Sequence, residues 1–257
     1  MLNKNYLKDK LKSGDKALGT WNIVNSSMLV DIIASTGLNF IVIDAEHGSI
    51  SYETAQTFVS ICQSHNVSPI MRLGEVNESL ILRALDIGVH GVQIPNIQTV
   101  DDAKLLVRYA KYPPIGNRGL SPYTKAGLYD VKNAARLVET ANSNTILIAN
   151  IEDETGLKNI ESIVKVDGLD VVFIGLFDLS KSLGIPGEVR HERVLSKLEW
   201  AVDIVHKFGK KIGSIATTPE MLTLLKSKGV DYITYSVDSG VVKESYQSIV
   251  KKFEEDL

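Results

Sequence analysis

Eight short runs of β-branched and other apolar residues recur along the chain, and a longer segment with helical periodicity follows each one. The runs fall near Leu18–Trp21, Phe40–Ile43, Ser68–Leu73, Gly91–Ile94, Ile146–Ile151, Val171–Ile174, Lys211–Ile215 and Tyr232–Tyr235. Each is apolar on both faces, the pattern of a parallel strand covered by helices. The helical segments are Ser27–Ser35, Tyr52–Ser64, Glu78–Ile87, Val100–Ala110, Glu154–Val164, Arg193–Lys207, Pro219–Lys228 and Val241–Phe253. Glycines at 37, 88, 209 and 229 stand where helix ends are expected, in the place favoured for left-handed caps.

Eight strand–helix units in 257 residues predict one (β/α)8 barrel of the TIM type spanning residues 1–257. A dinucleotide-binding sheet would carry Gly-x-Gly-x-x-Gly after its first strand, and nothing after Trp21 resembles it. No long linker interrupts the chain. The one extended excursion, from Tyr112 to Asp130, lies between the fourth and fifth strands, and one of that length is expected to be functional.

Composition removes other classes of function. A formal net charge of -3 and a pI near 6.0 leave no basic footprint for nucleic acid. No apolar run is long enough for a membrane span, and the polar start lacks the core of a signal peptide, so a cytoplasmic location is expected. Cys62 is the single cysteine, which excludes an intrachain disulfide, and its apolar neighbours predict a buried, inert thiol.

In a barrel of this kind the chemistry sits at the C-terminal ends of the strands. Strand two ends in Asp44-Ala-Glu-His47, strand three in Arg72, strand five in Asn150-Ile-Glu152, and strand six in Gly175-Leu-Phe-Asp178. Glu152 and Asp178 are the natural metal pair, because Mg2+ and Mn2+ take oxygen ligands and are commonly held by one or two carboxylates plus water and substrate. About four positions would stay open on such an ion, two of them for a chelating 2-oxo acid. The competing assignment is that both acids cap the helices that follow. Arg72 ends an apolar strand, where a guanidinium needs an anion: either a substrate enolate or a structural partner, Asp44 or Glu46. His47 is placed for proton transfer, with Asp44 or Asp86 to orient its ring. No lysine closes a strand at the top, which disfavours imine chemistry.

Ile41-Val-Ile-Asp-Ala-Glu-His47, Tyr112-Pro-Pro-Ile-Gly-Asn-Arg-Gly119 and Phe173-Ile-Gly-Leu-Phe-Asp-Leu-Ser180 together resemble the HpcH/HpaI family of metal-dependent 2-oxo acid aldolases. The resemblance runs from Gly19 to Asp238. It implies a pyruvate-type barrel in which a 4-hydroxy-2-oxo acid is cleaved to pyruvate and an aldehyde through a pyruvate enolate. A condensing enzyme of the citrate-forming kind is the alternative within the fold, and a non-catalytic binding barrel lies outside it. By resemblance, His47 is the general base or its partner, Asp86 raises its basicity, and Arg72 stabilises the enolate. Asn150, Gly175 and Phe177 contact the 2-oxo acid beside Arg72, and Glu152 and Asp178 hold Mg2+, Mn2+ or Co2+. A homohexamer with C-terminal helices exchanged between subunits is also implied. The chain departs from the family pattern at Phe177, where a small residue is common, and at Asn150, where the family has glutamine.

Overall fold

The computed structural model describes residues 4–255. Eight parallel strands close into a barrel in sequence order. They are β1 (Ala17–Asn22), β2 (Phe40–Asp44), β3 (Ser68–Arg72), β4 (Gly91–Ile94), β5 (Ile146–Ile151), β6 (Val171–Ile174), β7 (Lys211–Ala216) and β8 (Tyr232–Val237). The eighth strand pairs with the first through Ala17 and Tyr232, so the sheet has no free edge.

The helices, in chain order, are α1 (Tyr6–Lys12), α2 (Ser27–Ala34), α3 (Tyr52–Ser64), α4 (Glu78–Asp86), α5 (Val100–Ala110), α6 (Ala134–Asn144), α7 (Glu154–Val164), α8 (Leu176–Ser182), α9 (Glu192–Lys207), α10 (Pro219–Ser227) and α11 (Asp238–Glu255). Every expected strand and helix is present, with ends differing by at most a few residues. Gly37, Gly88, Gly209 and Gly229 all take positive φ, as the helix-end reading required.

Three helices had no counterpart in the sequence reading. α1 closes the bottom of the barrel, with Leu7 and Leu11 packed among the inward-facing residues and the Leu7 amide donating to Ser68 Oγ at 3.1 Å. α6 ends the long excursion, and α8 is one short turn-rich segment directly after β6. The excursion itself follows α5, which runs back down the barrel, so it lies at the end opposite the mouth.

Two cores result. Inside the barrel, Trp21, Phe40, Val42, Ile70, Ile148, Phe173 and Tyr232 fill the lumen. Outside it, a larger shell packs the other strand face against the helices. Cys62 is fully buried in that shell, and burial pushes its thiol up to about 12, as an inert role requires. Among the described residues, no helix is long and apolar enough to cross a membrane.

Candidate active site

The C-terminal strand ends converge on a cavity of about 330 Å³ lined by Asp44, His47, Arg72, Asn150, Glu152, Gly175, Phe177 and Asp178, among others. All eight stand at the strand ends read from the sequence, with contact to the 2-oxo acid at Asn150, Gly175 and Phe177 implied by the resemblance. Trp21, from the end of β1, was not anticipated.

Arg72 is held on three sides. Its Nε donates to Asp44 Oδ1 at 2.8 Å while Nη2 pairs with Asp44 Oδ2. Glu46 Oε2 lies 3.2 Å from Nε, and the guanidinium sits 4.2 Å from the centroid of the Trp21 ring. Both structural partners named as alternatives for Arg72 are therefore engaged, and the pairing does not exhaust the guanidinium. Its Nη1 hydrogens remain for an anion in the cavity. Glu46 is half-buried, and its carboxyl is raised by that burial, which Arg72 only partly offsets.

Asp44 also accepts from the amides of Glu46, at 3.0 Å, and His47, at 3.2 Å. It therefore shapes the turn that carries His47, and it grips the histidine's backbone, not its ring. Gly48 completes that turn, because a Cβ there would stand 2.4 Å from Asp44 O. Asp86 does not join the cavity. α4 runs antiparallel to the strands, so its last residue is carried to the bottom of the barrel, where Asp86 Oδ1 accepts from Arg118 Nη2 at 2.7 Å. The expected support of His47 by Asp86 is not present within this chain.

Glu152 is 8% exposed, and both its oxygens are directed. Asn150 Nδ2 donates to Oε1 at 2.9 Å, and the Asn96 amide donates to Oε2 at 3.2 Å. Asn96 takes the left-handed conformation, φ 54, that turns its N–H toward the carboxylate. Burial raises the Glu152 carboxyl, the two hydrogen bonds oppose that, and the neighbouring Asp178 charge adds to it. Glu152 does not cap α7; the next residue, Asp153, does, accepting from the Gly156 amide at 2.8 Å. Asp178 lies in the first turn of α8, half-exposed, with Oδ1 2.5 Å from Lys181 Nζ.

These residues fit a hard divalent cation. The donors are carboxylate oxygens, the Asp178 charge is close enough to raise the Glu152 carboxyl, and a cation between them would relieve that repulsion. Asp44, Glu46, Glu152 and Asp178 outnumber the cationic Arg72 and Lys181. Gly175 keeps the space beside Glu152 open, since a Cβ there would meet Glu152 Cγ at 2.8 Å and Oε1 at 3.1 Å. Among the described residues, no cluster of three or more His, Cys, Asp or Glu could hold a metal. Substrate and water would therefore have to complete the shell.

A closed parallel (β/α)8 barrel with an acid-rich mouth at its strand C-termini defines an enzyme of the TIM-barrel class. Residues 18–244 match the model of the HpcH/HpaI aldolase/citrate lyase family, and the chain belongs to that family. It is a carbon–carbon lyase. It is 30% identical over 258 residues to a 2-keto-3-deoxy-L-rhamnonate aldolase of Klebsiella pneumoniae subsp. pneumoniae, covering 99% of this chain and 95% of that protein. Among solved structures it is similar to an HpcH/HpaI aldolase from Desulfitobacterium hafniense DCB-2, with TM-score 0.92, 30% identity and 98% of each chain covered. It is also similar to the citrate synthase SbnG, with TM-score 0.89 and 28% identity over 98% of this chain and 99% of that one.

Proposed function

We propose that this protein is a divalent-metal-dependent aldolase that cleaves a 4-hydroxy-2-oxo acid to pyruvate and an aldehyde, and runs the reverse condensation. The observation that carries the reading is the convergence of Glu152 and Asp178 with the Asp44-braced Arg72 in one cavity. The 2-keto-3-deoxy-L-rhamnonate aldolase relative acts on a substrate whose name describes such an acid.

Glu152 and Asp178 would hold Mg2+, Mn2+ or Co2+, which supplies Lewis-acid polarisation of the 2-oxo group and charge neutralisation. Arg72, fixed by Asp44 and Trp21, directs its free guanidinium hydrogens at the oxygen on which charge develops as the enolate forms. His47 is exposed at the rim, and its ring takes the proton of the 4-hydroxyl during cleavage and returns it during condensation. Gly175 admits the 2-oxo acid beside Glu152, and Asn150 keeps that carboxylate turned toward it. Phe177, 48% exposed at the cavity edge, meets the aldehyde end.

The active assembly is a homo-oligomer with exchanged C-terminal helices, a hexamer by resemblance. Of α11 only Asp238 is buried, while Val242, Tyr246, Ile249 and Phe253 are exposed. An apolar groove of about 520 Å³ lies where α2, α10 and the start of α11 meet. The helix of a second copy has the length and apolar residues to fill it.

Incubation with pyruvate and a panel of hydroxyaldehydes, with Mg2+, Mn2+ or Co2+, tests the reading through formation of 4-hydroxy-2-oxo acids. The similarity to a citrate synthase favours one competing reaction, tested in parallel with oxaloacetate and acetyl-CoA. Citrate formation with no aldol product would replace the aldolase by a condensing enzyme.

A further inference from the structure

A run of polar side chains inside the barrel joins two residues with no part in the chemistry above, Tyr232 and Gln93, to Asn150 and Glu152. Tyr232, at the start of β8, donates from its hydroxyl to Gln93 Oε1 on β4 at 3.2 Å. Gln93 Nε2 donates to Asn150 Oδ1 at 2.8 Å, and Asn150 Nδ2 donates to Glu152 Oε1 at 2.9 Å. In the eight-strand ring β4 and β8 stand opposite one another, so the run crosses the lumen from wall to wall and then climbs β5 to the mouth. Tyr232 and Gln93 are completely buried and Asn150 nearly so.

The ends of the run fix its polarity. An ionised carboxylate only accepts, so Asn150 must turn its amide hydrogens to Glu152 and its oxygen to Gln93. Gln93 must then turn its hydrogens to Asn150 and its oxygen to Tyr232, whose hydroxyl is left to donate. Reversing either amide sets like against like in fully buried surroundings, where an unmade hydrogen bond is costly. The tyrosine ring is held in place by stacking on Phe40 (centroids 4.1 Å apart, planes 17° apart) and by an edge contact with Phe173 at 6.1 Å. Packing alone would be served as well by phenylalanine at 232 and leucine at 93.

We propose that Tyr232 and Gln93 are positioning residues that orient Asn150 and, through it, present the Glu152 carboxylate to a divalent cation. This rests on the metal reading of Glu152 and Asp178. The Asn96 amide holds the other oxygen of Glu152 from the loop after β4, so the two sides together set the rotation of the carboxylate. Partners of this kind that orient a metal ligand are commonly worth ten- to a hundredfold in metal affinity.

The test is calorimetric titration of Mn2+ into the wild type, Tyr232→Phe, Gln93→Leu and the double variant, with the melting temperature of each metal-free protein measured alongside. Gln93→Leu is expected to weaken Mn2+ binding about tenfold or more. Tyr232→Phe should weaken it severalfold and, because Gln93 Oε1 is left without its donor, lower metal-free melting modestly. The double variant should be no worse than Gln93→Leu, because the hydroxyl acts only through the amide. Should Gln93→Leu fail to fold, Tyr232→Phe decides alone. Wild-type affinity in Tyr232→Phe at a temperature where the protein is fully folded, or losses that multiply in the double variant, would each overturn the assignment. A wild type that binds no Mn2+ overturns the metal reading itself, and the relay with it.

Discussion

Asp44 grips Arg72 along one edge, taking Nε and Nη2, and leaves the Nη1 edge of the guanidinium toward the cavity. The same carboxylate receives the backbone amides of Glu46 and His47, so one buried acid sets both the orientation of the arginine and the turn carrying the histidine.

Arg72→Lys keeps a charge and loses the fork that Asp44 grips. The expected result is a fall in kcat on the order of 10²–10³-fold with little change in KM, as for loss of a transition-state donor. Steady-state kinetics of aldol cleavage checks it. A rise in KM alone would mean that Arg72 binds the ground-state carboxylate.

Gly175→Ala brings a methyl to within 2.8 Å of Glu152 Cγ, so the carboxylate must move. Asp178→Asn removes charge that a hard cation needs. Both should weaken Mn2+ binding by about tenfold or more, a scale typical of changes around a metal site. Calorimetry on each variant checks this, and unchanged affinity in Asp178→Asn would exclude that residue as a ligand.

Much of this was legible in the sequence, because barrel chemistry is confined to strand ends and the strands announce themselves by their apolar runs. Asp44, Arg72, Glu152 and Asp178 needed only that rule. Within one chain Asp86 lies far from His47 because a helix end belongs to the opposite face of the barrel, and motif proximity does not encode that direction. Gln93 had a signal, a polar residue inside an apolar strand, yet its partner lies across the lumen on β8. Asn96 acts through a backbone N–H set by a left-handed φ, which side-chain identity does not reveal. α1 was unread because its role, plugging the barrel, exists only once the barrel does.

Phe177 stands half-exposed at the cavity rim, where its ring borders the space an aldehyde would occupy. Phe177→Ala should reorder kcat/KM among acceptor aldehydes while enolate formation stays within about a few-fold. Competition between aldehydes in one reaction reads this out. An unchanged ranking with enolate formation lost would assign the ring to the earlier step.

At the bottom of the barrel, burial holds His90 down to about 4, against an ordinary 6.5. The unfolded chain takes up a proton below pH 6.5 that folded His90 refuses until about pH 4. Stability from this group is therefore complete above pH 6.5 and is lost as pH falls toward 4, an effect on the order of 3 kcal/mol. Urea unfolding at pH 7.5 and 4.5 should show the wild type losing more stability than His90→Gln. Equal losses would mean that His90 is protonated in the fold.

Deuterium exchange at the methyl group of pyruvate, followed by proton NMR with no aldehyde present, isolates enolate formation from the identity of the acceptor. Exchange should appear with Mn2+ or Mg2+, vanish in excess EDTA and return when metal is restored, and fall sharply in Asp178→Asn and Arg72→Lys. Exchange that continues at the wild-type rate in metal-free protein, or none at any metal concentration, would contradict a metal-assisted enolate held between Glu152, Asp178 and Arg72.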